Sequence, residues 1–239
     1  MAVRKQIALS VEFWRFRMQT KTIIASLAVL LVATIVFAED STTTNLIGSD
    51  LSGWVWVPRP AKEPTTAPVA SKEDVWSIRD GILVDKGKPV GYLRTEKTFG
   101  PNFVLTVEQR HLAKGNGGIL IGISGEDKVW PRCIEVQGQA GAEGDLWNQG
   151  HLKLTVDPSR KDPKDITDRH WLRIGPKSEH PIGEWDTVQI TSDHGKLTVK
   201  LNGQLQNEAT DVEDLSGHIG LQAEGGAMEF RKIELREIK

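Results

Sequence analysis

His194-Gly-Lys-Leu-Thr-Val-Lys-Leu-Asn-Gly203 decides the fold. Leu197, Val199 and Leu201 alternate with Lys196, Thr198 and Lys200, the period-two pattern of a strand with one face in a core. Asn202-Gly203 supplies the two positive-φ residues that a tight hairpin turn needs, and His194-Gly195 predicts a second turn just upstream. Working outward, Asn102 to Leu112 sets Phe103, Leu105 and Val107 on one face and Val104, Thr106 and Glu108 on the other. Gly118 to Ser124 groups Ile119, Ile121 and Ile123 opposite Leu120, Gly122 and Ser124. Further on, Ile134 and Val136 take the core side, while Cys133, Glu135 and Gln137 share the other. In the last segment Met228 and Phe230 share one phase and Ile233 and Leu235 the opposite one, which predicts a bulge near Arg231. With short alternating runs between Gly, Asn and Pro punctuation and no long 3.6-residue period after residue 40, the chain reads as all-β. Two antiparallel sheets packed face to face accommodate so many short strands better than a small barrel does.

The first 38 residues read as a secretory signal, with Lys21 before the apolar run Ile23 to Phe37 and Val36-Phe-Ala38 as a small-residue cleavage site. Met18 opens a more usual signal than Met1, so it is an alternative start. The run is shorter than the roughly 20 apolar residues that span a bilayer, which argues against a retained membrane span. The expected mature protein, 39–239, is one domain with an exposed, Pro-rich loop near 58–74. A periplasmic or secreted location follows. The single cysteine, Cys133, excludes an internal disulfide, and no cysteine follows the apolar run to carry a lipid.

The whole chain carries 30 basic and 32 acidic residues. Removing the signal takes away Arg4, Lys5, Arg15, Arg17, Lys21 and one acid, Glu12, leaving 25 against 31 and a net charge of −6. Phosphate neutralisation needs clustered Lys and Arg, so nucleic acid is not the partner.

Glu135 and Gln137 are the leading candidate site residues. Alternation puts a carboxylate and an amide about 7 Å apart on one strand face, where they can hold neighbouring hydroxyls or simply face water. Glu108, Gln222 and Glu224 occupy comparable outward positions. His111, His151, His170, His180, His194 and His218 show no metal-ligand spacing and read as surface or loop residues. Eight Trp against one Tyr is an unusual ratio. Trp76 and Trp185 read as core, whereas Trp54, Trp130 and Trp147, the last beside Asp145, are open to either packing or stacking on a sugar face. Cys133 reads as an inert small residue.

Seven words occur in order after residue 45: Leu51-Ser-Gly-Trp54, Asn116-Gly-Gly118, Trp130-Pro-Arg-Cys-Ile-Glu-Val-Gln137, Gly144-Asp-Leu-Trp147, Gly183-Glu-Trp-Asp186, Asn202-Gly203, and Gly217-His-Ile-Gly-Leu-Gln222 running on to Phe230-Arg-Lys-Ile233. On these the chain resembles the 3-keto-disaccharide hydrolase family, also described as 3-keto-glucoside 1,2-lyase and hydratase domains. It departs from the family pattern at Gly122, where an Arg is expected, at Asp186 in place of Asn, and at Lys232 in place of Asn. The resemblance implies a jelly roll of the concanavalin A-like lectin and glucanase type.

It also implies chemistry on a glycoside or oligosaccharide already oxidised at C-3. The ketone acidifies the C-2 hydrogen, a base removes it, the C-1 substituent leaves, and water adds back. Glu135 is the expected base, Gln137 its partner, and Glu108 a neighbouring carboxylate that would raise its pKa. Arg132, Arg110 or His151 would face the enolate oxygen, or a divalent metal would serve instead. Trp130, Trp147, Asp145, Gln222 and Glu224 would hold the substrate. A carboxylate pair would also suit ordinary glycoside hydrolysis, although the chain lacks a closely spaced Glu-x-Asp-x-x-Glu run. A non-catalytic carbohydrate-binding domain using the same face is the alternative, and a structural envelope module a third. No residue pattern speaks to the anomer, the aglycone or the oligomeric state.

Overall fold

The computed structural model describes residues 42–61 and 68–239, which belong to one compact unit, Asp40–Lys239. The signal segment and residues 62–67 of the expected loop lie outside the described residues. The rest of that loop ends early, because Ser71 caps a short helix, α1 (Lys72–Val75). The Ser71 hydroxyl accepts from the Asp74 backbone and the Asp74 carboxylate from the Ser71 N–H.

Two sheets make up the body, and all their pairings are antiparallel. The first contains β1 (Thr43–Asn45), β3 (Trp76–Arg79), β4 (Ile82–Asp85), β6 (Phe103–His111), β11 (Asp186–Asp193), β12 (Lys196–Leu201), β13 (Gln204–Ala209) and β15 (Met228–Glu237). Its order is β13-β12-β11-β6-β15-β4-β3, with β1 also on β15. The second contains β2 (Trp54–Pro58), β5 (Gly91–Thr95), β7 (Gly118–Ser124), β8 (Arg132–Gln137), β9 (Leu146–Asn148), β10 (His170–Trp171) and β14 (His218–Ala223), in the order β10-β9-β8-β7-β14-β5-β2. Several neighbours in space are distant in sequence, as in a jelly roll: β6 sits between β11 and β15, and β14 between β7 and β5. Among the described residues no helix is long and apolar enough to cross a membrane.

The core is the meeting of the two inner faces. Phe103, Leu105, Val107, Val199, Phe230 and Ile233 come from the first sheet, and Leu93, Ile119, Ile134, Val136 and Leu221 from the second. Each fully buried side chain of this size contributes about 1.5–3 kcal/mol. The expected hairpins are present: His194 and Gly195 have φ of 46° and 80°, and Asn202 and Gly203 φ of 50° and 79°. The bulge near Arg231 is present too, since the β15–β6 register shifts between Phe230 and Lys232.

Two packing expectations change, those for Ile123 and Trp185, and the open reading of Trp54 is settled. Ile123 does not join Ile119 and Ile121 but lies on the outer side with Val57, Tyr92, Leu120 and Cys133. The cause is Gly122, whose φ of 65° makes an irregularity in β7 between Ile121 and Ser124 and reverses the phase. Trp54 is buried in the core, its Nε1 donating to the Leu46 carbonyl at 3.1 Å. Trp185 is not core. It lies on the outside of the first sheet, with the guanidinium carbons of Arg110 and Arg231 at 4.6 and 4.5 Å from its ring centroid.

Gly122 also explains its own departure from the family pattern. A Cβ there would sit 2.9 Å from the Leu215 carbonyl oxygen in a backbone conformation that L side chains avoid. Gly122→Ala is therefore expected to lose about 1–3 kcal/mol of unfolding free energy in urea denaturation.

Candidate active site on the open face of the second sheet

β8 lies inside the second sheet, flanked by β7 and β9. Its alternation sends Ile134 and Val136 into the core and leaves Glu135 and Gln137 on the opposite face. Glu135 pairs across with Leu120 on one side and Trp147 on the other. Gln222 of β14, Glu224 just beyond it, Asn116 just before β7 and Gln149 just after β9 complete the surroundings. Glu135, Gln137, Glu224, Asn116 and Gln149 enclose a cleft of about 230 Å³, lined also by Trp130, Trp147 and Arg169, with Gln222 buried beside Glu135. That is small beside the usual ligand pocket of about 300–1,000 Å³, so the cleft fits one sugar ring with the remainder of a glycoside outside.

Glu135 is 2% exposed, and its Oε2 accepts a 2.6 Å hydrogen bond from the Gln149 amide. Burial pushes its pKa up to about 7; the nearby Glu224 carboxylate adds to the rise and the Gln149 bond opposes it. Glu224 is also raised by burial, with Arg59 working against the shift, and accepts from Asn116 Nδ2 at 2.6 Å. The Gln137 carbonyl oxygen accepts from the backbone N–H groups of Gly138 and Gln139, which leaves its amide nitrogen for a ligand. Buried Gln222 stands beside the Glu135 carboxyl, where its amide also opposes the rise, although neither amide atom has a partner at full hydrogen-bond distance among the described residues. Gly118 makes the floor possible, because a Cβ there would lie 2.5 Å from Gln222 Oε1 and 3.0 Å from Glu135 Oε1.

Trp147 is braced by His170, ring on ring at 4.1 Å and 6°. His170 Nδ1 meets Asp162 at 2.9 Å and Nε2 meets Asp145 at 3.1 Å. Burial disfavours its charge, but the two carboxylates outweigh that and raise its pKa. Trp130 forms another part of the wall, with the Arg59 guanidinium 5.6 Å from its ring centroid.

The expected residues thus fall into two groups. Glu135, Gln137, Trp130, Trp147 and Glu224 converge on one cleft, with Gln222 buried beside Glu135, while the others lie elsewhere for definite reasons. Arg132 is one residue out of phase with Cys133, Glu135 and Gln137, and its guanidinium bonds Ser124 Oγ at 3.0 Å and pairs with Glu213. His151 is exposed on the turn after β9 with φ of 52°. Asp145 is buried outside the cleft, accepting from His170 and from the Arg173 backbone. Glu108 and Arg110 are on the outer side of the first sheet, ion-paired to Arg231 and Glu229. Glu108 is therefore no neighbour of Glu135; Glu224 takes that position. His170 and His111 are buried rather than on the surface. Among the described residues no three His, Cys, Asp or Glu side chains gather as a metal site.

Three cleft residues were not among the candidates read from the sequence, and Asn116 appeared there only within the word Asn116-Gly-Gly118. Gln149 lies two residues beyond Trp147, so strand alternation alone places it on the same face. Arg169 has no such signal. It reaches the cleft from the loop before β10, where the Asp165 carboxylate accepts from the backbone N–H groups of Arg169 and His170 at 2.6 and 2.8 Å.

Solved structures of similar fold include carbohydrate-acting and carbohydrate-binding proteins. A candidate glycosyl hydrolase from Parabacteroides distasonis is 19% identical with a TM-score of 0.58, over 82% of this chain and 100% of that one. A β-1,3-1,4-glucanase (lichenase) derived from a mouse hindgut metagenome is 10% identical with a TM-score of 0.54, over 82% of this chain and 99% of that one. A carbohydrate-binding module from Bacillus subtilis is 10% identical with a TM-score of 0.52, over 77% and 96%. These likenesses establish the sandwich of the lectin and glucanase kind. No protein of curated function matches the chain. A family model described as a 3-keto-alpha-glucoside-1,2-lyase-like domain matches residues 42–236, nearly the whole of the described sandwich, and the chain belongs to that family.

Proposed function

We propose that this protein is an exported enzyme that cleaves 3-keto-glycosides by taking the C-2 proton, expelling the C-1 substituent and hydrating the unsaturated product. Membership of a carbohydrate-active family supports the substrate class. The observation that carries the chemistry is Glu135, a buried carboxyl with its pKa pushed up to about 7 at the floor of a sugar-sized cleft. A general acid or base works best with a pKa near the working pH, where it can both take and return a proton. A purely binding face has no need of one. Export rests on the apolar run Ile23 to Phe37 and the small-residue site ending at Ala38.

In this reading the Glu135 carboxylate removes the proton that the neighbouring ketone has made acidic. The same group, now protonated, stands ready to protonate the departing oxygen. Gln137 and Asn116 hold hydroxyls, and Trp147, stiffened by His170, offers a flat apolar wall to the C–H face of the ring. Glu224 contributes its charge to keeping Glu135 weakly acidic and lies close enough to direct the water of hydration.

Incubating the mature protein with 3-keto-glucosides of both anomers should release the aglycone. Glu135→Gln should reduce the rate at least about 100-fold. Release by the wild type on neither anomer, with unoxidised glycans still bound, would leave a lectin-like domain. The wild-type kcat/KM should fall about tenfold per pH unit below pH 7, because only the ionised carboxyl takes a proton. Stability should move the other way. The folded state favours protonated Glu135, so its contribution declines as pH rises from the unfolded value of 4.5 to about 7 and is level above that. Glu135→Gln is therefore expected to be more stable than the wild type at pH 8, by about 1–3 kcal/mol, and close to it at pH 4, as read by thermal melts.

A further inference from the structure

We infer that Arg169 is the catalytic electrophile of this cleft, the group that receives the ketone oxygen as it becomes an enolate. The inference rests on the 3-keto-glycoside reading and adds to it the donor that proton abstraction requires.

A base alone cannot make the C-2 proton leave at a useful rate. The charge arriving on the C-3 oxygen needs a preorganised donor in a site with little water. Arg169 lines the cleft and is held only by neutral oxygens. Its Nε donates to Thr167 Oγ1 at 2.9 Å and its Nη1 to Gln149 Oε1 at 3.3 Å. Arg94, Arg110, Arg132, Arg173 and Arg231 are each ion-paired to a carboxylate; Arg169, like Arg59, Arg79, Arg160 and Arg236, makes no ion pair among the described residues, and of these unpaired arginines it alone lines the cleft. Its remaining N–H groups have no acceptor among the described residues. The Asp165 cap on the preceding turn fixes the backbone beneath it.

The link to the base is one side chain. Gln149 accepts from Arg169 with its oxygen and donates to Glu135 with its nitrogen at 2.6 Å. Donor and base thus stand one carboxamide apart, a spacing that suits a carbonyl oxygen on C-3 and a proton on the adjacent C-2. In the first step the Glu135 carboxylate takes that proton. The C–H pair becomes the C-2 to C-3 double bond, and the carbonyl π pair moves to the oxygen facing Arg169, which keeps all its protons. In the second step the oxygen pair re-forms the carbonyl and the C-2 to C-3 pair shifts to C-1 and C-2. The C-1 to oxygen bond breaks, and the leaving oxygen takes the proton from Glu135. No oxidant or reductant is consumed.

The first step can be measured alone with 3-keto-1,5-anhydroglucitol, which has no leaving group at C-1, by following C-2 hydrogen exchange in D₂O by NMR. Wild type should exchange it, Glu135→Gln should not, and Arg169→Met should lower the maximal exchange rate about 100-fold or more, with Arg169→Lys recovering part of the loss. Matching melting temperatures and near-ultraviolet spectra establish that the variants are folded, and the Lys variant keeps the test open if the Met variant is not. Exchange by Arg169→Met within threefold of wild type, while Glu135→Gln is inert, would overturn the assignment and leave the base in place. A raised half-saturation with an unchanged maximal rate would overturn it as well, making Arg169 a binding residue. Absence of exchange by the wild type would take down the 3-keto reading itself.

Discussion

Successive side chains of β8 point to opposite faces of its sheet, and the structure depends on that alternation. Ile134 and Val136 are locked into the core between the sheets, so the register of β8 cannot slip. Glu135 and Gln137 are then held at fixed heights on the other side, with Leu120 and Trp147 directly alongside Glu135. A carboxyl in that position is deprived of water by its neighbours rather than by depth in the molecule. The interaction that secures the fold thus also produces the unusual acidity of the group.

Charge is distributed unevenly around this arrangement. The outer face of the first sheet carries paired ions such as Arg110 with Glu229 and Glu108 with Arg231, which are partly exposed and contribute modestly to stability. Around the cleft the carboxyls are instead partnered by amides, Gln149 on Glu135 and Asn116 on Glu224. Amide partners hold a carboxyl in position without clamping it in its ionised form, as an arginine would. His170 shows the opposite design. Two carboxylates grip its ring, and the ring in turn stiffens Trp147.

Much of the fold was legible in local sequence. The hairpins at His194-Gly195 and Asn202-Gly203, the phase of β8 and the bulge near Arg231 all follow from alternation and turn chemistry. Gly122 was legible as a departure but not as a bulge, so Ile123 was assigned to the wrong face. Alternation also tells which face a residue takes but not which sheet it belongs to. That is why Glu108 and Glu135, both outward-facing, read as neighbours although they lie on opposite outsides of the sandwich. Arg169 and the burial of His170 were beyond reach, since both depend on how the loop 157–169 folds back toward β9. The Trp185 environment illustrates the same point, whereas the phase of Arg132, one residue off that of Glu135, was open to reading from alternation.

The cleft is built largely from strand ends. Glu135, Gln137 and Trp147 stand within strands, but Asn116, Trp130, Gln149, Arg169 and Glu224 each sit one or two residues outside one. Connections tolerate changes of length and sequence that a sheet interior does not. Descendants of this chain can therefore exchange the rim by insertion, deletion or substitution while inheriting the floor intact. Such an architecture separates the evolution of substrate preference from the preservation of the reactive carboxyl, and gives a small sandwich wide scope for new glycosides without refolding.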